Sequence, residues 1–123
     1  MLLENLYKIK DQYSEDQILI TRLVFLENHY IYNGHFPNNP IIPGVCLLQT
    51  AKEIYEKYYT IDLHLSTLVD VKFLKLIVPR NSNLLTYTIY SKPHEVVTEI
   101  KVVVTITDNS ETYTKATVIY SII

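Results

Sequence analysis

The chain has 123 residues, of which 48% are hydrophobic and 20% charged, and its net charge is -2. This is ordinary globular composition for one domain over 1–123. It excludes a disordered chain and a dedicated nucleic-acid surface, which needs an excess of lysine and arginine. No apolar run approaches the roughly 20 residues of a membrane span, the start Met1-Leu2-Leu3-Glu4-Asn5 lacks the marks of a signal peptide, and the lone Cys46 has no intrachain disulfide partner. A cytoplasmic protein with no membrane association is therefore expected.

In chain order, Lys8 to Asp11 and Gln17 to Glu27 read as strands, separated by the turn-forming Ser14-Glu15-Asp16. Residues 28–43 read as an irregular loop. Its second half, with the start of the next segment, runs Gly34-His35-Phe36-Pro37-Asn38-Asn39-Pro40-Ile41-Ile42-Pro43-Gly44-Val45 and holds three prolines, one histidine and both glycines of the chain. Pro43 suits the position before a helix, where its missing N–H does no harm. A helix is expected from Gly44 to about Tyr59, with Val45, Leu48, Ala51, Tyr55 and Tyr58 as one apolar stripe and Lys52, Glu53, Glu56 and Lys57 on much of the other side.

The second half is strand-rich: Leu65 to Leu74, a break at Pro79-Arg80-Asn81-Ser82-Asn83, Leu84 to Tyr90, a turn at Lys92-Pro93-His94, then Val96 to Thr107. In that last segment Ile100, Val102, Val104 and Ile106 share one face. Asp108-Asn109-Ser110 reads as a hairpin turn and Tyr113 to Ile122 as the returning strand. Two strands, one long helix and at least four strand segments make an α+β layout, with a curved antiparallel sheet wrapped around one central helix. That is the hotdog fold. A single helix covers one face of such a sheet, so a partner sheet and a dimer are expected.

His35 is the candidate proton-transfer residue, since histidine titrates near neutral pH and stands here beside a helix start whose free N–H groups suit developing negative charge. His29, His64 and His94 have no supporting context, and His29 with His35 lacks a third ligand for zinc, so no metal is expected. Cys46 reads as a small buried residue. The eleven tyrosines are scattered and form no base-stacking platform.

The run Gly34-His35-Phe36-Pro37-x-x-Pro40-x-x-Pro43-Gly44-Val45 closely resembles the signature of the 3-hydroxyacyl-acyl-carrier-protein dehydratases, which are hotdog proteins. Val71-Lys72-Phe73-Leu74-Lys75-Leu76-Ile77-Val78-Pro79 resembles the family strand that ends in an apolar-Val-Pro turn, with Arg80-Asn81 where the family has glycine-aspartate. The resemblance implies that His35 is the catalytic histidine and that the Gly44 N–H binds the thioester carbonyl, with Pro43, Val45 and Phe36 around the substrate. It implies no cofactor. It implies a carboxylic acid fourteen residues after the histidine, contributed across a dimer, and that position is Gln49.

Eliminating water from a 3-hydroxyacyl thioester requires a base for the C2 proton, stabilisation of the thioester oxygen and a proton for the departing hydroxyl. Glutamine can hydrogen-bond that hydroxyl but cannot protonate it. A positioned general acid contributes ~10²–10⁴-fold in rate, roughly 3–5 kcal/mol of barrier. His35 could serve both proton transfers, or Glu53, four residues on and on the same helix face, could be the substitute acid. The plain alternative for Glu53 is a surface pair with Lys57. The expected function is a dehydratase acting on acyl chains carried by acyl carrier protein or coenzyme A, as a homodimer or higher hotdog oligomer. The alternatives are a non-catalytic acyl-binding subunit paired with an active partner in a heterodimer, and an acyl thioesterase.

Overall fold

The computed structural model describes residues 5–34 and 40–123. Six strands form one sheet: β1 (Tyr7–Glu15), β2 (Ile18–Phe25), β3 (Leu63–Phe73), β4 (Leu85–Lys92), β5 (Glu99–Thr107) and β6 (Thr112–Ile122). Their spatial order is β1-β2-β4-β5-β6-β3, and every neighbouring pair is antiparallel. One helix, α1 (Gly44–Tyr59), follows a short 3-10 turn at Tyr30–Gly34. This is the hotdog fold. Among the described residues, no helix is long and apolar enough to cross a membrane.

The alternating strands place one apolar row each against the helix. Leu19 and Leu23 of β2, Leu85, Tyr87 and Ile89 of β4, Val102, Val104 and Ile106 of β5, and Ala116, Val118 and Tyr120 of β6 are all buried. Tyr87 also donates from its hydroxyl to the Leu47 carbonyl oxygen at 3.0 Å, which ties β4 to the first turns of α1. Its burial pushes the phenol well above its ordinary pKa.

Two local readings need correction. β1 runs on to Glu15, because Ser14 and Glu15 pair with Leu19 and Ile18. The turn is shorter than Ser14-Glu15-Asp16 and is made at Asp16, whose φ of 54° is left-handed, a conformation aspartate tolerates better than most residues. The expected helix stripe is also rotated. Val45 is 68% exposed, whereas Cys46, Leu47, Thr50, Ala51, Glu53, Ile54 and Tyr55 are buried. At 100° per residue these buried positions sweep an arc of roughly 200°. The sheet wraps so far around the helix that three- and four-residue spacing alone does not find the buried side.

The helix ends at Thr60, held left-handed at φ 53°, with its N–H donating to the Glu56 carbonyl oxygen. Glu56 also accepts from the Leu63 N–H at 2.9 Å through its side chain and so starts β3. Among the described residues β3 pairs only with β6, and its other edge carries no strand. Leu65, Leu68, Val69 and Phe73 on it are exposed, as are Leu74 and Leu76 just beyond.

The β5–β6 hairpin is closed by Asp108. Its carboxylate accepts from the Ser110 N–H at 2.9 Å, the Glu111 N–H at 2.8 Å and the Tyr113 hydroxyl at 2.6 Å. The Tyr113 hydroxyl first, and then these backbone donors, pull its pKa down to about 2. A depressed carboxyl stabilises the fold fully above its unfolded pKa of about 3.9, and loses that contribution as pH falls towards 2. Asp108→Asn should therefore lower the melting temperature at pH 7. Thermal melts should show the gap to wild type closing between about pH 4 and pH 2.

Candidate active site

The start of α1 is fixed by contacts from distant parts of the chain. The Ile42 N–H donates to the Ile77 carbonyl oxygen at 2.9 Å, and both side chains are buried. This bond ties the segment before the helix to the connection between β3 and β4. Pro43 is the N-cap, with extended backbone and no side-chain cap bond. Its carbonyl oxygen accepts from the Cys46 N–H at 2.9 Å and the Leu47 N–H at 3.2 Å. The N–H groups of Gly44 and Val45 precede the first intrahelical bonds, at the positive end of the helix dipole.

Gly44 permits a close approach and has no unusual φ. A Cβ built on it would lie 2.5 Å from the Phe73 ring tip. Phe73, the last residue of β3, therefore lays its ring against the first turn of α1.

Gln49 sits one to two turns further on. Its Nε2 donates to Glu53 Oε2 at 3.1 Å. The other oxygen, Glu53 Oε1, accepts from the Tyr7 hydroxyl at 3.0 Å. Glu53 is 3% exposed. Its pairing is thus with Gln49 and Tyr7 inside the fold, and the surface pair with Lys57 does not form. A buried carboxylate needs hydrogen bonds, and these two supply them. Burial raises the Tyr7 phenol above its ordinary pKa, and the adjacent Glu53 adds to the rise. Burial and then Glu53 also raise the Cys46 thiol, which is unsuited to a nucleophile.

A groove of about 340 Å³ runs between α1, β3 and β6. Val45, Leu48 and Gln49 form its helix wall, and Leu68, Val71 and Phe73 its strand wall. Its other polar lining is Lys52 and Tyr120, so no carboxylate among the described residues lines it.

Of the expected site residues on α1 and its N-cap Pro43, Val45 and Gln49 line the groove, Gly44 meets Phe73 at the helix start, and Glu53 lies buried behind Gln49 without lining the groove. His35 and Phe36 lie outside the described residues. His29 stacks on Tyr30 at 4.4 Å and accepts from the Ile31 N–H at 3.1 Å through Nδ1. His94 meets Glu99 at 2.9 Å, and His64 is exposed on β3. Among the described residues, no group of three His, Cys, Asp or Glu side chains is placed to hold a metal ion. Tyr7 is the residue missed from sequence. It lies 46 positions before Glu53, and only the fold brings the two together.

The family model described as ApeI-like, ApeI dehydratase, matches residues 10–112. The chain belongs to the ApeI-like dehydratase family. Two curated relatives are named 3-hydroxyacyl-acyl-carrier-protein dehydratase FabZ. That of Lactococcus lactis subsp. lactis (strain IL1403) is 45% identical over 43 residues, which is 35% of this chain and 28% of the relative. That of Lactiplantibacillus plantarum (strain ATCC BAA-793 / NCIMB 8826 / WCFS1) is 30% identical over 71 residues, 52% of this chain and 48% of the relative. The match thus spans less than half the length of either relative. Among solved structures, the dehydratase heterocomplex ApeI:P from Xenorhabdus doucetiae has a chain that superposes with a TM-score of 0.76 at 17% identity, covering 93% of this chain and 96% of that one. At that identity the likeness shows the fold.

The contact at Gly44 gives a direct test of how the ApeI-like site is built. Gly44→Ala should cost about 1–2 kcal/mol through overpacking. Phe73→Leu in the same chain should recover most of it, measured as a double-mutant cycle in urea melts. Additive losses would show that the ring does not press on the helix start.

Proposed function

We propose that the chain is a hydro-lyase that removes water from a 3-hydroxyacyl thioester, carried on acyl carrier protein or coenzyme A, to give the trans-2-enoyl thioester. The observation that carries this reading is the apolar groove walled on the helix side by Val45, Leu48 and Gln49 of the first turns of α1. Apolar walls suit an acyl chain. The free N–H of Gly44 suits the oxygen of a thioester that gains negative charge as C2 loses its proton. Val45, Pro43 and Phe36 would frame that oxygen and the first carbons of the chain.

His35 is proposed as the base, on its place in the sequence motif. It takes the C2 proton, the electron pair forms the C2–C3 double bond, and the C3–O bond breaks. The same proton then returns from His35 to the departing hydroxyl, which leaves as water. One residue serves both proton transfers because position 49 holds an amide. The absence of a carboxylate from the described groove lining weighs against a thioesterase that activates water with one.

The open edge of β3, with its exposed apolar side chains, supports a dimer in which a second sheet continues the first and covers the groove. A homodimer fits this edge. Gln49 favours one second reading, a subunit that binds the acyl chain while a different hotdog chain supplies an acid. The name of the ApeI:P heterocomplex lends that reading support. A cytoplasmic site of action fits either reading.

Intact-mass measurement on 3-hydroxyacyl carrier protein tests these readings together. Loss of one water is expected, and His35→Ala should abolish it. Release of free acid would mark a thioesterase, and turnover only with an added partner chain would mark the paired subunit.

Gln49→Glu would place a second carboxyl about 3 Å from Glu53, at the present hydrogen-bond distance. Two carboxylates so close repel each other, which favours a proton held between them that a leaving hydroxyl could take. Initial rates should rise, by up to about 10²-fold. An unchanged or lower rate would show that the proton supply does not limit turnover.

A further inference from the structure

The groove owes its shape to two ties between α1 and β3. At the helix start the Phe73 ring lies so close to Gly44 that a Cβ there would come within 2.5 Å of it. Near the helix end, Glu56 Oε2 accepts from the Leu63 N–H at 2.9 Å. Leu63 and Phe73 are the first and last residues of β3. Between the two ties the helix runs from Gly44 to Glu56, about 18 Å at its standard rise. Fully extended, β3 with its 11 residues would span about 33 Å. A strand longer than the span it bridges bows away from the helix. Register shifts against β6, between Leu65 and Thr67 and between Leu68 and Asp70, allow the bend. The groove is the space under that bow, and a tie stands at each end of it.

The two ends differ in chemistry. Val45 and Phe73 line the end at the helix start. Lys52 and Tyr120 line the far end, beside Leu65, which pairs with Tyr120 across the strands. Lys52 Nζ meets Glu56 Oε2 at 3.4 Å, so the carboxylate that ties the helix to β3 also holds the ammonium. Tyr120 is 3% exposed, with its ring 6.5 Å from that of Tyr55 between centroids. Methylenes gain by burial along the apolar walls. A chain end pressed on the ion pair strips water from it and returns no hydrogen bond, which is unfavourable.

We propose that Lys52, Glu56 and Tyr120 form a polar stop that sets the length of the acyl chain, admitting chains of up to roughly ten carbons. The count follows from the helix. Lys52 lies two turns beyond Gly44, about 12 Å along the axis, and an extended chain advances about 1.3 Å per carbon. The proposal rests on the acyl-binding part of the reading above and not on the elimination step. Two substitutions move the stop. Lys52→Ala removes the ammonium and its stem and leaves Glu56 on Leu63. Tyr120→Leu removes the hydroxyl and the ring end and keeps the position apolar.

The test is calorimetric titration of the full chain with saturated acyl pantetheine amides from about four to about sixteen carbons, with turnover of 3-hydroxyacyl carrier protein measured separately. Wild-type affinity should rise about fourfold per added carbon, the effect of burying one methylene. Past the stop it should fall about tenfold or more, the effect of an ionic group stripped of its hydrogen bonds. In each variant the break should move to chains about three carbons longer, the room that the trimmed side chain vacates. A rise that continues through the longest chain overturns the proposal, as does a break unmoved in both variants or no binding at any length. If Tyr120→Leu fails to fold, Lys52→Ala decides alone. A break in the predicted place without turnover upholds the stop and removes the dehydratase reading. Turnover with no break does the reverse.

Discussion

The buried carboxylate of Glu53 constrains how the helix sits in the sheet. Leaving one oxygen of such a group without a partner costs on the order of 1–3 kcal/mol, and more for a charged group. The structure meets the need from two directions, with Tyr7 from β1 and Gln49 from the preceding helical turn. Rotation of α1 about its axis would break the Tyr7 bond, whereas the Gln49 bond lies within the helix and would turn with it. With that rotation fixed, Cys46, Leu47, Ala51 and Ile54 face the sheet and Val45, Leu48 and Gln49 face the groove. One polar cluster therefore sets both the core and the wall of the candidate site.

The position of the helix start along its axis is set by a second group of contacts. The Ile42–Ile77 backbone bond holds the entering chain against the β3–β4 connection, and Phe73 presses on Gly44. They come from the last residue of β3 and from the connection just after it, β3 being the strand with the open edge. The free N–H groups of the first turn, the ring of Phe73 and the groove are consequently one mechanical unit. A strand added along β3 would bear on all of them, which links assembly to the geometry of the site.

Much of this was legible in the sequence, and the limits have physical causes. The helix bounds followed from Pro43 and from the apolar spacing, and β5 followed from clean alternation at Ile100, Val102, Val104 and Ile106. Motif similarity pointed to the fold and to the start of the helix. The helix face did not follow, because a sheet that wraps about half of the helix buries positions that periodicity assigns to solvent. Glu53 looked like half of a Glu-Lys surface pair for that reason. Tyr7 gave no local signal at all, since its partner is decided by strand order and not by neighbours in sequence. Position 49 departs from the dehydratase pattern on sequence alone, but the buried carboxylate beside it emerges only with the fold.

Chemically, the site combines an anion-seeking helix start, an apolar groove and an amide held by a buried acid. These suit an elimination in which one base moves a single proton from carbon to oxygen. Elimination and hydration pass over the same barrier, so the reverse reaction reports on the same groups. The most direct measurement is incubation of a trans-2-enoyl carrier protein in heavy-oxygen, deuterated water, with the position of each isotope read by fragment mass. The account predicts heavy oxygen as a hydroxyl on C3 and deuterium on C2. Heavy oxygen appearing in a released carboxylic acid, or no isotope in the acyl chain, would contradict it.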